Sequence, residues 1–128
     1  MIVLDASVAV GAALGRRVVL GELSRHDLLV APHLVDAEVL HTLRGHLLSG
    51  KLSEPAAAQA VANWSSISVQ RRTTDELSGR VWELRHNVTA YDATYVALAE
   101  SYRCTLLTAD RRLAAASGPR CAVTVLRE

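Results

Sequence analysis

The sequence has no phenylalanine, only two cysteines and a single lysine, Lys51, and aromatic residues make up 4% of its 128 positions. Without large rings, a core must be assembled from many small contacts of Ala, Val and Leu, an inventory that suits helices packed on a sheet. Cys104 and Cys121 are too few and too far apart for a cysteine-based zinc site. A reducing interior would keep them as small core hydrophobes, and a disulfide between them stays open. No apolar run approaches the roughly 18 to 20 residues of a membrane span, and the opening MIVLDASVAV has no basic stretch ahead of its apolar residues. A cytoplasmic protein with no membrane anchor is therefore expected. Charge of one sign is lacking as well: the formal net charge is +1. The field of a strongly basic nucleic-acid binder is missing, so any contact with phosphates must come from a local patch. The five His residues are scattered without an HExxH or short paired spacing, which argues against zinc, and His33, His41 and His46 are assigned no chemistry. Gly-rich phosphate loops, internal repeats and linker-like tracts are absent too.

What is present is ample apolar material, 50% of the chain, at a length that fits one domain over residues 1–128. Met1 to Leu4 reads as a buried strand closed by Asp5. Residues 6 to about 23 read as a helix interrupted by Gly11, Gly15 and Gly21. Asp27 to Ala31 is a second strand, and Pro32 opens a helix running to about Ser49 with Gly50 as its stop. Ser53, Glu54 and Pro55 open an Ala-rich helix to about Trp64, with a third strand near Ile67 to Gln70. Helices follow from Thr74 to about Arg85 and from near Thr89 to Tyr102. A strand at Thr105 to Leu107, a short helix at Asp110 to Ala116 and a strand at Ala122 to Leu126 complete the chain. This alternation predicts an α/β fold with a parallel sheet of four to five strands.

In such sheets the functional crevice lies beyond the carboxyl ends of the strands, above all where strand order reverses. Asp5 follows the first strand and Asp110 lies three residues beyond Leu107, so both should open onto that edge. Glu38 falls in the second turn of the helix after the second strand, and Asp92 in the first turn of the helix starting near Thr89. Four acids from four distant segments thus converge. Carboxylates at close range are unfavourable unless protons or a divalent cation neutralise them. Hard cations choose oxygen ligands, so Mg²⁺ or Mn²⁺ is the expected occupant and phosphodiester hydrolysis the expected chemistry. Asp5 and Asp92 are the strongest candidates for direct ligation, with Glu38 and Asp110 ligating through water or orienting the nucleophile. Ser7 and Thr108 are close enough in sequence to supply supporting hydroxyls, and Arg111 and Arg112 could steer phosphate.

Each acid also has a plainer explanation. Asp5 and Asp110 could cap helices, and Thr89 to Asp92 fits a capping box. Glu38 lies inside LVDAEVL and needs a partner for its charge. Asp36, two residues earlier and roughly 200° around the helix, is assigned to a solvated face.

Taken together, MIVLDASV, PHLVDAEVLHTLR, TAYDATYVALAE and LLTADRRL, in this order and spacing, resemble the PIN-domain ribonucleases, specifically the VapC toxins of type II toxin–antitoxin systems. The resemblance covers nearly the whole chain. It implies a three-layer α/β/α sandwich, a metal site of Asp5, Glu38, Asp92 and Asp110 supported by Thr108, and Mg²⁺- or Mn²⁺-dependent endonucleolytic cleavage of RNA. It also implies a homodimer and inhibition by a cognate VapB-like antitoxin in a heterotetramer or larger assembly. The Gly-interrupted first helix, with Arg16 and Arg17, has no residue-by-residue counterpart in that pattern.

Other acidic α/β proteins fit less well. A response-regulator receiver would need a Lys after its last strand, and Lys51 is misplaced; a haloacid-dehalogenase phosphatase would need an Asp where Ser7 stands. The alternatives kept are a catalytically weak PIN-like module that binds RNA or an antitoxin without cutting, and a nuclease acting on DNA, since a metal site alone does not distinguish the sugars.

Overall fold

In a computed structural model that describes residues 1–127, the alternating pattern resolves into five parallel strands and seven α-helices. The strands are β1 (Ile2–Leu4), β2 (Leu29–Pro32), β3 (Gln70–Arg72), β4 (Leu106–Thr108) and β5 (Val123–Val125). The helices are α1 (Ala6–Ala13), α2 (Arg17–Leu23), α3 (Leu34–Leu48), α4 (Glu54–Ser66), α5 (Ser78–Glu83), α6 (Ala90–Tyr102) and α7 (Arg111–Ala115), with a 3-10 turn at Asp75–Leu77 before α5.

The sheet order is β3-β2-β1-β4-β5, with every pair parallel. Central β1 and β4 are buried at every residue, as strands covered on both faces must be. The edges differ: β3 is Gln-Arg-Arg, and its polar side chains blunt an exposed edge. Helices α1 to α4 pack on one another, while α5 and α6 pair and α6 lies against β1, β2 and β4. The result is a three-layer α/β/α sandwich. Strand order reverses at β1, whose neighbours are β2 on one side and β4 on the other. The crevice beyond β1 and β4 is the topological switch point.

The first helical segment corrects the sequence expectation in an instructive way. Only Gly15 breaks it, with φ of +74°, a conformation costly for residues bearing a Cβ. Gly11 sits inside α1, where a Cβ would stand 2.8 Å from Val19 Cγ2, so its absence lets α2 close onto α1. Pro32 also differs from expectation. It ends β2 rather than opening the helix, and α3 begins two residues later. The Thr74–Arg85 helix is shorter than expected, and residues 84–89 form a connection into α6.

Candidate active site

Asp5 leaves β1 and enters α1 as its N-cap, with Oδ1 accepting from the Val8 amide at 3.2 Å. The same oxygen accepts from the Ser7 hydroxyl at 2.5 Å, and Oδ2 accepts from the Thr108 hydroxyl at 2.5 Å. Both hydroxyls are themselves fixed from β4's end of the crevice: Ser7 Oγ accepts from the Ala109 amide at 2.9 Å, and Thr108 Oγ1 from the Asp110 amide at 3.0 Å. Asp5 is 5% exposed. Burial is the main reason its carboxyl is held above the ordinary range. The bonds from Ser7, Thr108 and Val8 oppose that shift, and the charge of Asp92 adds to it.

Glu38 reaches the crevice from α3. Its partner is Tyr95 of α6, whose hydroxyl donates to Oε1 at 2.9 Å. Tyr95 is 1% exposed and is the largest fully buried side chain, so the bond fixes a partly exposed acid to a rigid ring. Glu38 is also held above its ordinary value, first by burial and then by the charges of Asp92 and Asp5, against the lowering effect of the Tyr95 bond. Asp92, in the first turn of α6, follows the N-cap Thr89, whose Oγ1 accepts from its amide at 3.1 Å. Its carboxyl is raised by burial and by the charge of Asp110. Tyr95 is one turn beyond Asp92, so one helix face presents both.

Asp110 stands at the N-cap of α7, where Oδ1 accepts from the Arg112 amide at 2.9 Å and lies 3.5 Å from Arg112 Nε. It shares a groove of about 510 Å³ with Asp92, Arg85 and Arg112. Arg111 turns the other way and lines a smaller groove, about 260 Å³, with Arg16, Ala109 and Arg127. The four acids thus lie around one sheet edge, with Asp92 raising both Glu38 and Asp5 and being raised in turn by Asp110. Among the described residues no three His, Cys, Asp or Glu side chains close into a ready coordination shell. An all-oxygen donor set whose members raise one another's pKa nevertheless matches a hard divalent cation, which would offset that repulsion.

Two features escaped sequence reasoning. Tyr95 as the partner of Glu38 was signalled only by the Asp92-to-Tyr95 spacing of three. Asp36 faces away from the acids, yet it is not on a freely solvated face. Its Oδ1 accepts from Trp64 Nε1 at 2.8 Å and Arg71 Nη2 at 2.7 Å, and its Oδ2 from Arg71 Nε at 3.0 Å. Arg71 in turn lies over the Trp64 ring, 5.3 Å from its centroid. The trio joins α3, α4 and edge strand β3, and the Arg71 bonds hold the Asp36 carboxyl below the usual range.

A parallel sheet with this order and an acidic switch point defines a class of small α/β proteins, and a model of the PIN domain matches residues 2–119. The chain is 40% identical over 126 residues to Ribonuclease VapC9 of Mycobacterium tuberculosis, covering 98% of each chain. It is 43% identical over 129 residues to Ribonuclease VapC1 of the same organism, covering 98% of this chain and 97% of the relative. Among solved structures, PAE2754 from Pyrobaculum aerophilum superposes with a TM-score of 0.71 at 27% identity, over 95% of this chain and 81% of the other. The chain belongs to the PIN-domain family, in its VapC branch.

Proposed function

We propose that the protein is a Mg²⁺- or Mn²⁺-dependent endoribonuclease, the toxin of a type II toxin–antitoxin pair, that cleaves RNA phosphodiesters at the crevice beyond β1 and β4. The observation that carries this reading is the convergence of Asp5, Glu38 and Asp92 from three distant segments. Each is held above the ordinary carboxylate range by burial and by a neighbouring acid. Such an arrangement costs the fold stability until protons or a cation neutralise it, a cost that a cation-dependent function explains. The names of the VapC relatives, ribonucleases, point to the same chemistry.

Asp5 and Asp92 would hold the ion, with Glu38 and Asp110 at its periphery. When bound, a divalent ion of this kind polarises the phosphoryl group and makes water a stronger nucleophile. The chain's own residues do the rest. Ser7 and Thr108 hold Asp5 in one rotamer by occupying both its oxygens. Glu38, anchored through Oε1 by Tyr95, would orient water and take its proton through the other carboxylate oxygen. Arg112 beside Asp110 and Arg111 in the second groove supply the local positive charge that a near-neutral molecule needs to hold phosphates.

Pairing with a second copy and with an antitoxin is supported by membership of the VapC branch. A surface groove beside Glu38, lined by Leu34, Ala37 and Tyr91, offers apolar area to a protein partner. A module that binds without cutting has one observation in its favour, the lack of a closed ligand shell among the described residues. One experiment separates the two. Purified protein is incubated with single-stranded RNA in Mg²⁺, in Mn²⁺ and in chelator. Metal-restored internal cleavage is expected, and cleavage indifferent to chelator sinks the acidic-site mechanism.

A further inference from the structure

Trp82 on α5 is 67% exposed, an unusual position for the largest apolar side chain in a protein that has only two tryptophans. It is not a loose side chain. The Arg85 guanidinium lies over its ring, 4.8 Å from the centroid, and Arg85 Nη1 donates to the Trp82 carbonyl at 2.8 Å. The guanidinium thereby lies over one face of the indole at the end of α5. Arg85 in turn lines the groove that holds Asp92, Asp110 and Arg112.

We infer that Trp82 and Arg85 form a stacking platform for an unpaired base of single-stranded RNA, set beside the acidic centre. This deepens the ribonuclease reading and rests on it. Unstacked bases are held by aromatic rings and Arg planes, whereas a duplex keeps its bases stacked inside and offers only backbone and groove edges. Continuity with the candidate active site favours an RNA occupant over a protein one, because Arg85 reaches from the Trp82 ring into the groove that holds Asp92 and Asp110. In the ribonuclease reading the scissile phosphate sits at that groove, so a base beside it comes within reach of the platform through Arg85. Specificity would then be for unpaired regions, with tolerance of which base is stacked.

The two tryptophans make the platform directly observable, because Trp64 is 3% exposed and Trp82 supplies the solvent-sensitive emission. A short unstructured RNA oligonucleotide of mixed sequence, and the same strand annealed to its complement, are titrated into full-length Asp5→Asn protein while tryptophan fluorescence is followed. The single strand should quench the exposed emission and the duplex should not. With binding read instead from the anisotropy of an end-labelled strand, Trp82→Ala should weaken single-strand binding about tenfold and Trp82→Phe should restore most of it, as stacking on a ring predicts. In otherwise unaltered protein, Trp82→Ala should raise KM by a similar factor with kcat unchanged, the pattern of a lost binding contact. RNA cleavage with no response from Trp82, or equal quenching by the duplex, overturns the platform and leaves the ribonuclease reading standing. A Trp82 response to RNA together with no cleavage by the unaltered, metal-replete protein upholds the platform and removes the ribonuclease reading. Emission that changes with protein concentration or added antitoxin but not with RNA makes Trp82 a protein-docking residue and also overturns the inference.

Discussion

The Tyr95 hydroxyl donates to Glu38 Oε1 at 2.9 Å, joining the most deeply buried ring of α6 to an acid on α3. Tyr95→Phe removes that bond and keeps the ring in the core. A stability loss of about 1 kcal/mol is expected, the usual net worth of one such bond. Glu38 also loses a contact that lowers its pKa, so its titration should move further up. If Glu38 orients water, kcat falls and the acid limb of the pH profile moves upward, while KM for RNA stays where it was. An unchanged profile with full activity would show that the bond serves packing alone.

Asp5→Asn tests the centre of the crevice. The side chain keeps its shape, and its remaining carbonyl can still accept from Ser7 or Val8. It also relieves a buried charge that the protein holds at a cost. Thermal unfolding is expected to give an unchanged or higher Tm, together with loss of RNA cleavage and of growth inhibition on expression. Full cleavage by the metal-replete variant would falsify the assignment of Asp5.

The strand-helix alternation and the places of Asp5, Glu38 and Asp92 in their elements were readable in the sequence because each left a local mark: an apolar run closed by Asp5, a charge inside LVDAEVL, and a capping pattern at Thr89. Ser7 and Thr108, expected as supporting hydroxyls, both donate to Asp5, Thr108 across 103 positions, whereas the partner of Glu38 was not readable, since Tyr95 meets it across 57 positions. Helix boundaries slipped where backbone and packing decide. Gly11 looked like a breaker and proved to be a contact point, while Pro32, expected to open a helix, completes a strand.

Asp36 carries the lesson furthest. Its place two residues from Glu38 told correctly that it turns away from the acids, but nothing local announced Arg71, 35 positions on. Asp36→Asn should loosen β3 from α3 and α4. Because both partners of the ion pair are partly exposed, screening keeps the expected loss near about 1 kcal/mol. The Asp36 carboxyl is held low, so the pair's contribution is present above the unfolded carboxylate pKa and fades as pH falls through the folded value. RNA cleavage per folded molecule should be unaffected. A loss comparable with that of Asp5→Asn would place Asp36 in the active site instead.

Asp5, Glu38 and Asp92 have the opposite linkage. Their folded values are raised, so in the window above the ordinary carboxylate range, near about pH 4, the folded state holds protons that the unfolded chain has released. Their effect is to lower stability as pH rises through that window. A divalent ion should restore what is lost. Mg²⁺ or Mn²⁺ is expected to raise Tm clearly at neutral pH and progressively less as pH falls and the carboxyls take up protons. A Tm shift that does not shrink with falling pH would mean that the ion binds elsewhere.

Asp110 is the acid whose two roles are hardest to separate, since its carboxylate caps α7 through the Arg112 amide and also raises Asp92. Asparagine and alanine divide them. Asn caps a helix as well as Asp does, whereas Ala costs about 1 kcal/mol at that position. Asp110→Asn should therefore leave Tm unchanged, and Asp110→Ala should lower it. If the charge serves the site, both variants lose at least about tenfold in kcat, or roughly 1.4 kcal/mol of barrier, despite their different stabilities. If Asp110 is only a cap, cleavage will follow stability: the Asn variant will cut RNA like the parent, and the active centre will reduce to Asp5, Glu38 and Asp92.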